Sequence, residues 1–137
     1  MAATTTAVLS ICQSGDHLVT HRYVFGGTFG LSHEVLPGLG ITVTFVDVTD
    51  PDQVVAAFRP NTKAVFLEAP SNPTLQIADI AAVSRIAHDR GARLVVDNTL
   101  ATPLNQRQLA LGADAVVHSR TKYLNGHSDV MAGAIRE

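Results

Sequence analysis

Cysteine is almost missing from this chain: Cys12 is the only one among 137 residues. One thiol excludes an internal disulfide and a cysteine-based zinc site, and it suits a reducing compartment. Tryptophan is absent and aromatic residues make up 5% of the sequence, so aliphatic and β-branched side chains have to fill the core. Charged residues are scarce at 16%, and a formal net charge of −2 gives no reason to expect nucleic acid or an anionic membrane as partner. No apolar run approaches the roughly 18 residues of a membrane span, and no charged-then-apolar leader opens the sequence, so the expected location is the cytoplasm. The six histidines form no HExxH pair; they read as scattered loop residues, and no metal is expected. Gly26-Gly27 and Gly38-x-Gly40 follow no strand as G-x-G-x-x-G, which excludes a dinucleotide fingerprint.

What the chain has in quantity is apolar surface, 46% of its residues. That suits a sheet buried on both faces, or a surface covered by another domain or subunit, and the length gives room for one core and one domain. Residues 2–12 predict a helix with Val8, Leu9 and Cys12 on one side, ended by Gly15. A chain that opens inside a helix suggests a piece of a longer protein. A short strand over 17–20 leads into the glycine-hinged turn 23–28 and a second helix with Leu31, Val35 and Leu36 as its buried stripe. Residues 41–47 predict a strand. Asp50-Pro51-Asp52-Gln53 reads as an N-cap, a proline at N1 and a capping-box glutamine opening a helix to Phe58. Strands over 63–68, 93–99 and 115–118 follow. Between them lie the double-proline turn 70–73, an Asp79-capped helix with Ile80, Val83 and Ile86 or Ala87 inward, and a short helical segment over 106–111. Residues 130–135 predict an uncovered edge strand. Strands alternating with helices mean an α/β fold, a mostly parallel sheet with helices on both faces.

Right-handed crossovers put the strand-to-helix turns at one edge of such a sheet, where ligands bind. Phe25, Asn72, Asp97, Ser119 and Lys122 all fall on those turns and are expected to converge on one crevice. Ser119, Thr121 and Lys122 arrive within four residues after the apolar run 115–117. Hydroxyls can bond phosphate oxygens, and a lysine held in an apolar crevice becomes nucleophilic. Asp97 ends an otherwise apolar strand, where a carboxylate can hold a heterocyclic nitrogen protonated. A reactive lysine, an acid for a ring nitrogen, a phosphate cup and an aromatic cover together describe the protein side of a pyridoxal phosphate site.

The segments 68–74 (EAPSNPT), 95–99 (VVDNT) and 119–129 (SRTKYLNGHSD) resemble the Cys/Met-metabolism, or trans-sulfuration, family of fold-type I pyridoxal-phosphate enzymes, and the likeness runs through the whole chain in order. It implies an incomplete large, aspartate aminotransferase-like cofactor-binding domain over 1–137, with the family's N-terminal segment and C-terminal domain absent. It implies that Lys122 carries pyridoxal 5'-phosphate as a Schiff base and moves protons on the substrate, and that Asp97 keeps the pyridinium charged. Ser119 and Thr121 contact the phosphate, Phe25 stacks on one ring face, Thr99 lies against the other, and Asn72 reaches the ring hydroxyl. Met1 matches the methionine of the family's Ser-Gly-Met phosphate turn. Phe25 stands where the family commonly has tyrosine, and Arg120 where it usually has a small residue.

The resemblance implies γ-replacement or γ-elimination on a small sulfur amino acid or homoserine ester, closest to cystathionine γ-synthase or γ-lyase, in a homotetramer of dimers. A sulfhydrylase or a methionine γ-lyase is the alternative within the family, the latter disfavoured because its loop typically carries cysteine where Gly27 stands. Without that N-terminal segment and C-terminal domain, the 137 residues alone are expected to be inactive, and outside catalysis the alternative is a polypeptide that keeps the fold without turning over substrate.

Overall fold

Strands form where the sequence is short, apolar and β-branched, and the computed structural model describes all residues from 1 to 137. β1 (His17–His21), β2 (Thr42–Val46), β3 (Thr62–Glu68), β4 (Arg93–Asp97) and β5 (Ala115–Ser119) run parallel, and β6 (Gly133–Arg136) pairs antiparallel with β5. The spatial order β2-β1-β3-β4-β5-β6 leaves β2 and β6 as edges, so the edge strand expected near the end of the chain is there, beginning at Gly133. Thr121 and Ala132 bond through their backbones just before it and close the intervening loop.

Central strands carry apolar side chains on both sides, as a doubly covered sheet requires. In β3, Val65 and Leu67 enter one core with Leu94, Val96, Ile80 and Val83, while Ala64 and Phe66 enter the other with Val95, Val8, Leu31 and Leu36. The helix α1 (Ala2–Leu9) and, after α2 (Gly26–Gly30), Leu31 and Leu36 cover the second face; α4 (Pro51–Ala57) and α5 (Ile80–His88) cover the first. Asp79 caps α5 by accepting from the Ala82 N–H at 2.9 Å, and Ile80, Val83 and Ala87 point inward as the periodicity predicts. Cys12 is buried but lies just past α1 rather than inside it. Burial, with Asp16 nearby, pushes its thiol up to about 11.

Several local expectations are corrected. Val35 is 49% exposed, not part of the inward stripe. α2 runs into a π turn, Leu31–Val35, before α3 (Leu36–Gly38), and the Leu36 N–H bonds the Leu31 carbonyl. Pro37 has no N–H to donate to residue 33 and its ring would strike that carbonyl; a π turn absorbs the conflict and rotates Leu36 inward in place of Val35. At the start of α4, Asp50 does cap, accepting from the Asp52 N–H at 3.0 Å. Gln53 closes no capping box: its amide bonds the Asp50 side chain, and its oxygen accepts from the Asp47 N–H and Arg22. α6 (Thr102–Asn105) was not anticipated, and the segment over 106–111 is reduced to a 3-10 turn, Gln108–Leu111.

All but one of the histidines lie outside loops as well. His17, His21 and His118 are buried in strands, His33 and His88 lie in helical turns, and His127 alone sits in a loop. His17 and His21 are four apart, but a strand separates them by roughly 13 Å, too far to share a metal. His17 instead bridges the Thr62 and Thr44 hydroxyls, each at 2.8 Å, and burial pushes its pKa down to about 4.

Candidate functional site

The parallel strands β1, β3, β4 and β5 end at one edge of the sheet, and a cavity of about 920 Å³ opens there. It is lined by all eight residues singled out from the sequence: Met1, Phe25, Asn72, Asp97, Thr99, Ser119, Thr121 and Lys122. Residues brought from four turns thus meet as the topology requires.

Asp97 closes β4. One oxygen accepts from the Thr99 N–H at 2.9 Å, and the other has no partner in the protein. Burial raises its pKa, against the opposing pull of Thr99 and the His118 imidazole. The Thr99 hydroxyl accepts from the Ser119 N–H at 2.8 Å and so ties the ends of β4 and β5 together. This leaves the Ser119 hydroxyl and the Asn72 side-chain amide without protein partners on the cavity wall. The Thr121 hydroxyl is engaged by Ala132, accepting its N–H at 3.1 Å. Tyr23 does not line the cavity; it packs edge-on against His21 with ring centroids 5.5 Å apart.

Lys122 departs from expectation. It is exposed at the cavity mouth rather than enclosed in an apolar crevice. The reason is local: residues 120–124 form an open turn beyond β5, and neither sheet face extends over them. Arg120 is exposed on the same turn, and nothing in the structure explains why an arginine stands there.

Phe25 is half-exposed at the rim, with its ring beside Gly27 and Met1. A Cβ at residue 27 would lie 2.7 Å from the Met1 sulfur and 2.8 Å from Phe25 Cε1, closer than such atoms pack. Gly27→Ala is therefore expected to leave stability within about 1 kcal/mol, since both neighbours are movable side chains, while displacing the Phe25 ring. The checks are the unfolding midpoint and the phenylalanine ring shifts in the NMR spectrum.

The sequence reading passed over Glu68. Its carboxylate is buried at the end of β3, in register with Asp97. The Phe25 N–H donates to both its oxygens, at 2.9 and 3.0 Å, the Thr28 hydroxyl to Oε1 at 3.3 Å and the Asn72 N–H to Oε2 at 3.2 Å. Desolvation, reinforced by the neighbouring Asp97 charge, pushes its pKa up to about 7. The signal that marked Asp97, an acid closing an apolar strand, is equally present in 64–68 and would have found it.

These donors fit pyridoxal phosphate. An acid with one unpartnered oxygen suits a protonated ring nitrogen, free hydroxyl and amide groups suit phosphate and ring oxygens, Phe25 offers an aromatic face, and Lys122 offers the amine.

Comparison with known proteins agrees. The family model for Cys/Met metabolism PLP-dependent enzymes matches residues 1–137. A "probable cystathionine gamma-synthase" of Herpetosiphon aurantiacus is 47% identical over 135 residues, covering 98% of this chain and 42% of that protein. An L-methionine gamma-lyase of Treponema denticola is 50% identical over 137 residues, covering 98% and 34%. The crystal structure of cystathionine gamma-lyase from Lactobacillus plantarum, complexed with L-serine, superposes with a TM-score of 0.95 at 45% identity, covering 98% of this chain and 35% of that one. The chain thus spans from 34% to 42% of the length of these curated relatives. Matched from its first residue to its last, it belongs to the family of Cys/Met metabolism enzymes that work with pyridoxal 5'-phosphate.

Proposed function

We propose that this chain forms the cofactor wall of an enzyme that breaks or exchanges bonds at the γ carbon of a sulfur amino acid or homoserine ester. The observation that carries the reading is the gathering of Asp97, Ser119, Asn72, Phe25 and Lys122 around one cavity at the carboxyl ends of the strands. Bound pyridoxal phosphate supplies an electron sink for the negative charge that develops on a substrate carbon. Asp97 holds the proton on the ring nitrogen, which its unpartnered oxygen faces no competitor for. Ser119 and Thr121 would orient the phosphate, Asn72 would reach the ring hydroxyl, and Phe25 and Thr99 would cover the ring. Met1 lines the same cavity. Lys122 would hold the cofactor through its Nζ and would be the group that carries protons to and from the substrate.

Gly27 supports a γ-synthase or γ-lyase over a methionine γ-lyase, whose loop, by the family resemblance, typically carries cysteine at that position. A second reading, a polypeptide that keeps the fold without turnover, draws support from the exposure of Lys122 and the engagement of the Thr121 hydroxyl by Ala132. Supplying cofactor and cystathionine and analysing the keto acid separates these possibilities. 2-Oxobutanoate is the expected product of γ chemistry; pyruvate would move the reaction to the β carbon. Cofactor captured without either product would favour the second reading, and no change in the cofactor's absorbance would overturn the site itself.

A further inference from the structure

The two loops that bring Phe25 and Asn72 to the cavity are held by one side chain. Phe25 is 51% exposed, so packing does little to fix its ring, and its N–H bonds go to Glu68 alone. The Asn72 side chain makes no hydrogen bond to the protein, and its backbone N–H also ends on Glu68. Thr28, at the first turn of α2, supplies a third donor. Every group aimed at Glu68 is a donor. An ionised carboxylate, with two oxygens and no hydrogen, accepts them all; a carboxamide would turn its NH₂ toward at least one.

We propose that Glu68 is a positioning residue: by accepting from Phe25, Thr28 and Asn72 together, it fixes the aromatic rim and the ring-hydroxyl contact relative to Asp97, and so sets how tightly the cavity holds the cofactor ring. The proposal rests on the pyridoxal phosphate reading above. A role in stability alone accounts poorly for the choice of residue. The carboxylate is buried next to a second acid, and burial raises both. Such a pair weakens a fold unless what it organises is needed.

Glu68→Gln keeps the shape and replaces one acceptor by a donor. Amide hydrogen exchange without cofactor, at pH 7.5, is expected to show protection lost at Phe25 and Asn72 while core amides such as Val65 and Val95 keep theirs. A purely structural role would instead loosen the core amides in parallel. Pyridoxal phosphate binding, followed by visible circular dichroism, is expected to weaken roughly tenfold or more, the loss of one charge-assisted bond. Thr28→Val removes one donor and leaves the carboxylate, so it should shift both readouts the same way by less; it also serves if Glu68→Gln folds poorly. Unchanged protection at Phe25 and Asn72 overturns the clamp. Lost protection with unchanged cofactor affinity overturns its functional role. Should the wild type fail to bind pyridoxal phosphate at all, the underlying reading and the functional role fall together, and the exchange data still decide whether Glu68 holds the loops.

Discussion

Lys122→Ala is expected to abolish borohydride-dependent attachment of pyridoxal phosphate to this chain, while Lys63→Ala leaves it intact. The chain has two lysines, which makes each the control for the other. Both are exposed, so both amines are open to an aldehyde in solution. Lys63 sits near the start of β3, and five residues of extended strand put it roughly 17 Å from Glu68 and the cavity edge. Lys122 lines the cavity itself.

Nonspecific modification would mark the two comparably. A site would not, because the wall holds the cofactor beside one of them. A single charge-assisted hydrogen bond of about 1.5–3 kcal/mol gives Lys122 a lead of roughly ten- to a hundredfold over Lys63. With cofactor near stoichiometric, reduction followed by peptide mapping should find the label on the 121–129 segment of the wild type and of Lys63→Ala. Lys122→Ala should retain only background. Similar labelling of Lys63 and Lys122 in the wild type would sink the assignment, whatever the family of the chain. Exposure of Lys122 makes the test demanding, since selectivity then has to come from the cup rather than from enclosure of the lysine.

The parallel order of strands was legible because each strand is a short apolar run ended by a turn signal, and because right-handed crossovers leave little freedom in how such runs stack. That same rule let Phe25, Asn72, Asp97, Ser119 and Lys122 be assigned to one edge without knowing a single distance. What could not be read depends on contacts between remote segments. Val35 satisfies helical spacing as well as Leu36 does, and the choice between them is made by a π turn that accommodates Pro37. His17 read as one of the scattered loop histidines because nothing local announces Thr44 and Thr62, which arrive from neighbouring strands to satisfy both ring nitrogens. Lys122 looked enclosed because it closely follows an apolar run, but the turn that carries it lies beyond β5 at the cavity mouth. Glu68 is the opposite case. Its position at a strand end was visible, yet its meaning lies in three donors spread over residues 25–72.

Replacing Glu68 by glutamine should also change how stability depends on pH, and the sign is fixed by the direction of its displacement. A carboxyl whose pKa is raised by folding, here from 4.5 to about 7, contributes stability that is fully present below pH 4.5 and is lost as pH rises through about 7. At about 1.4 kcal/mol per pH unit the loss is roughly 3 kcal/mol, more than a hundredfold in the folding equilibrium. The buried histidines act in the other direction. His17, lowered to about 4, and His21 and His118, also lowered by burial, give stability that is present above pH 6.5 and lost as pH falls. They are common to both proteins and cancel in the difference, whereas glutamine cannot ionise. The variant is therefore expected to gain on the wild type by about 3 kcal/mol between pH 4 and pH 8, with most of the change between pH 4.5 and 7. Urea unfolding of the two proteins at a series of pH values measures the gap directly. Parallel curves across that range would mean that the donors from Phe25, Thr28 and Asn72 offset the burial of the Glu68 charge in full. Curves that diverge as stated, with the more stable variant holding the cofactor less well, would show a carboxylate kept at the expense of the fold for what it positions.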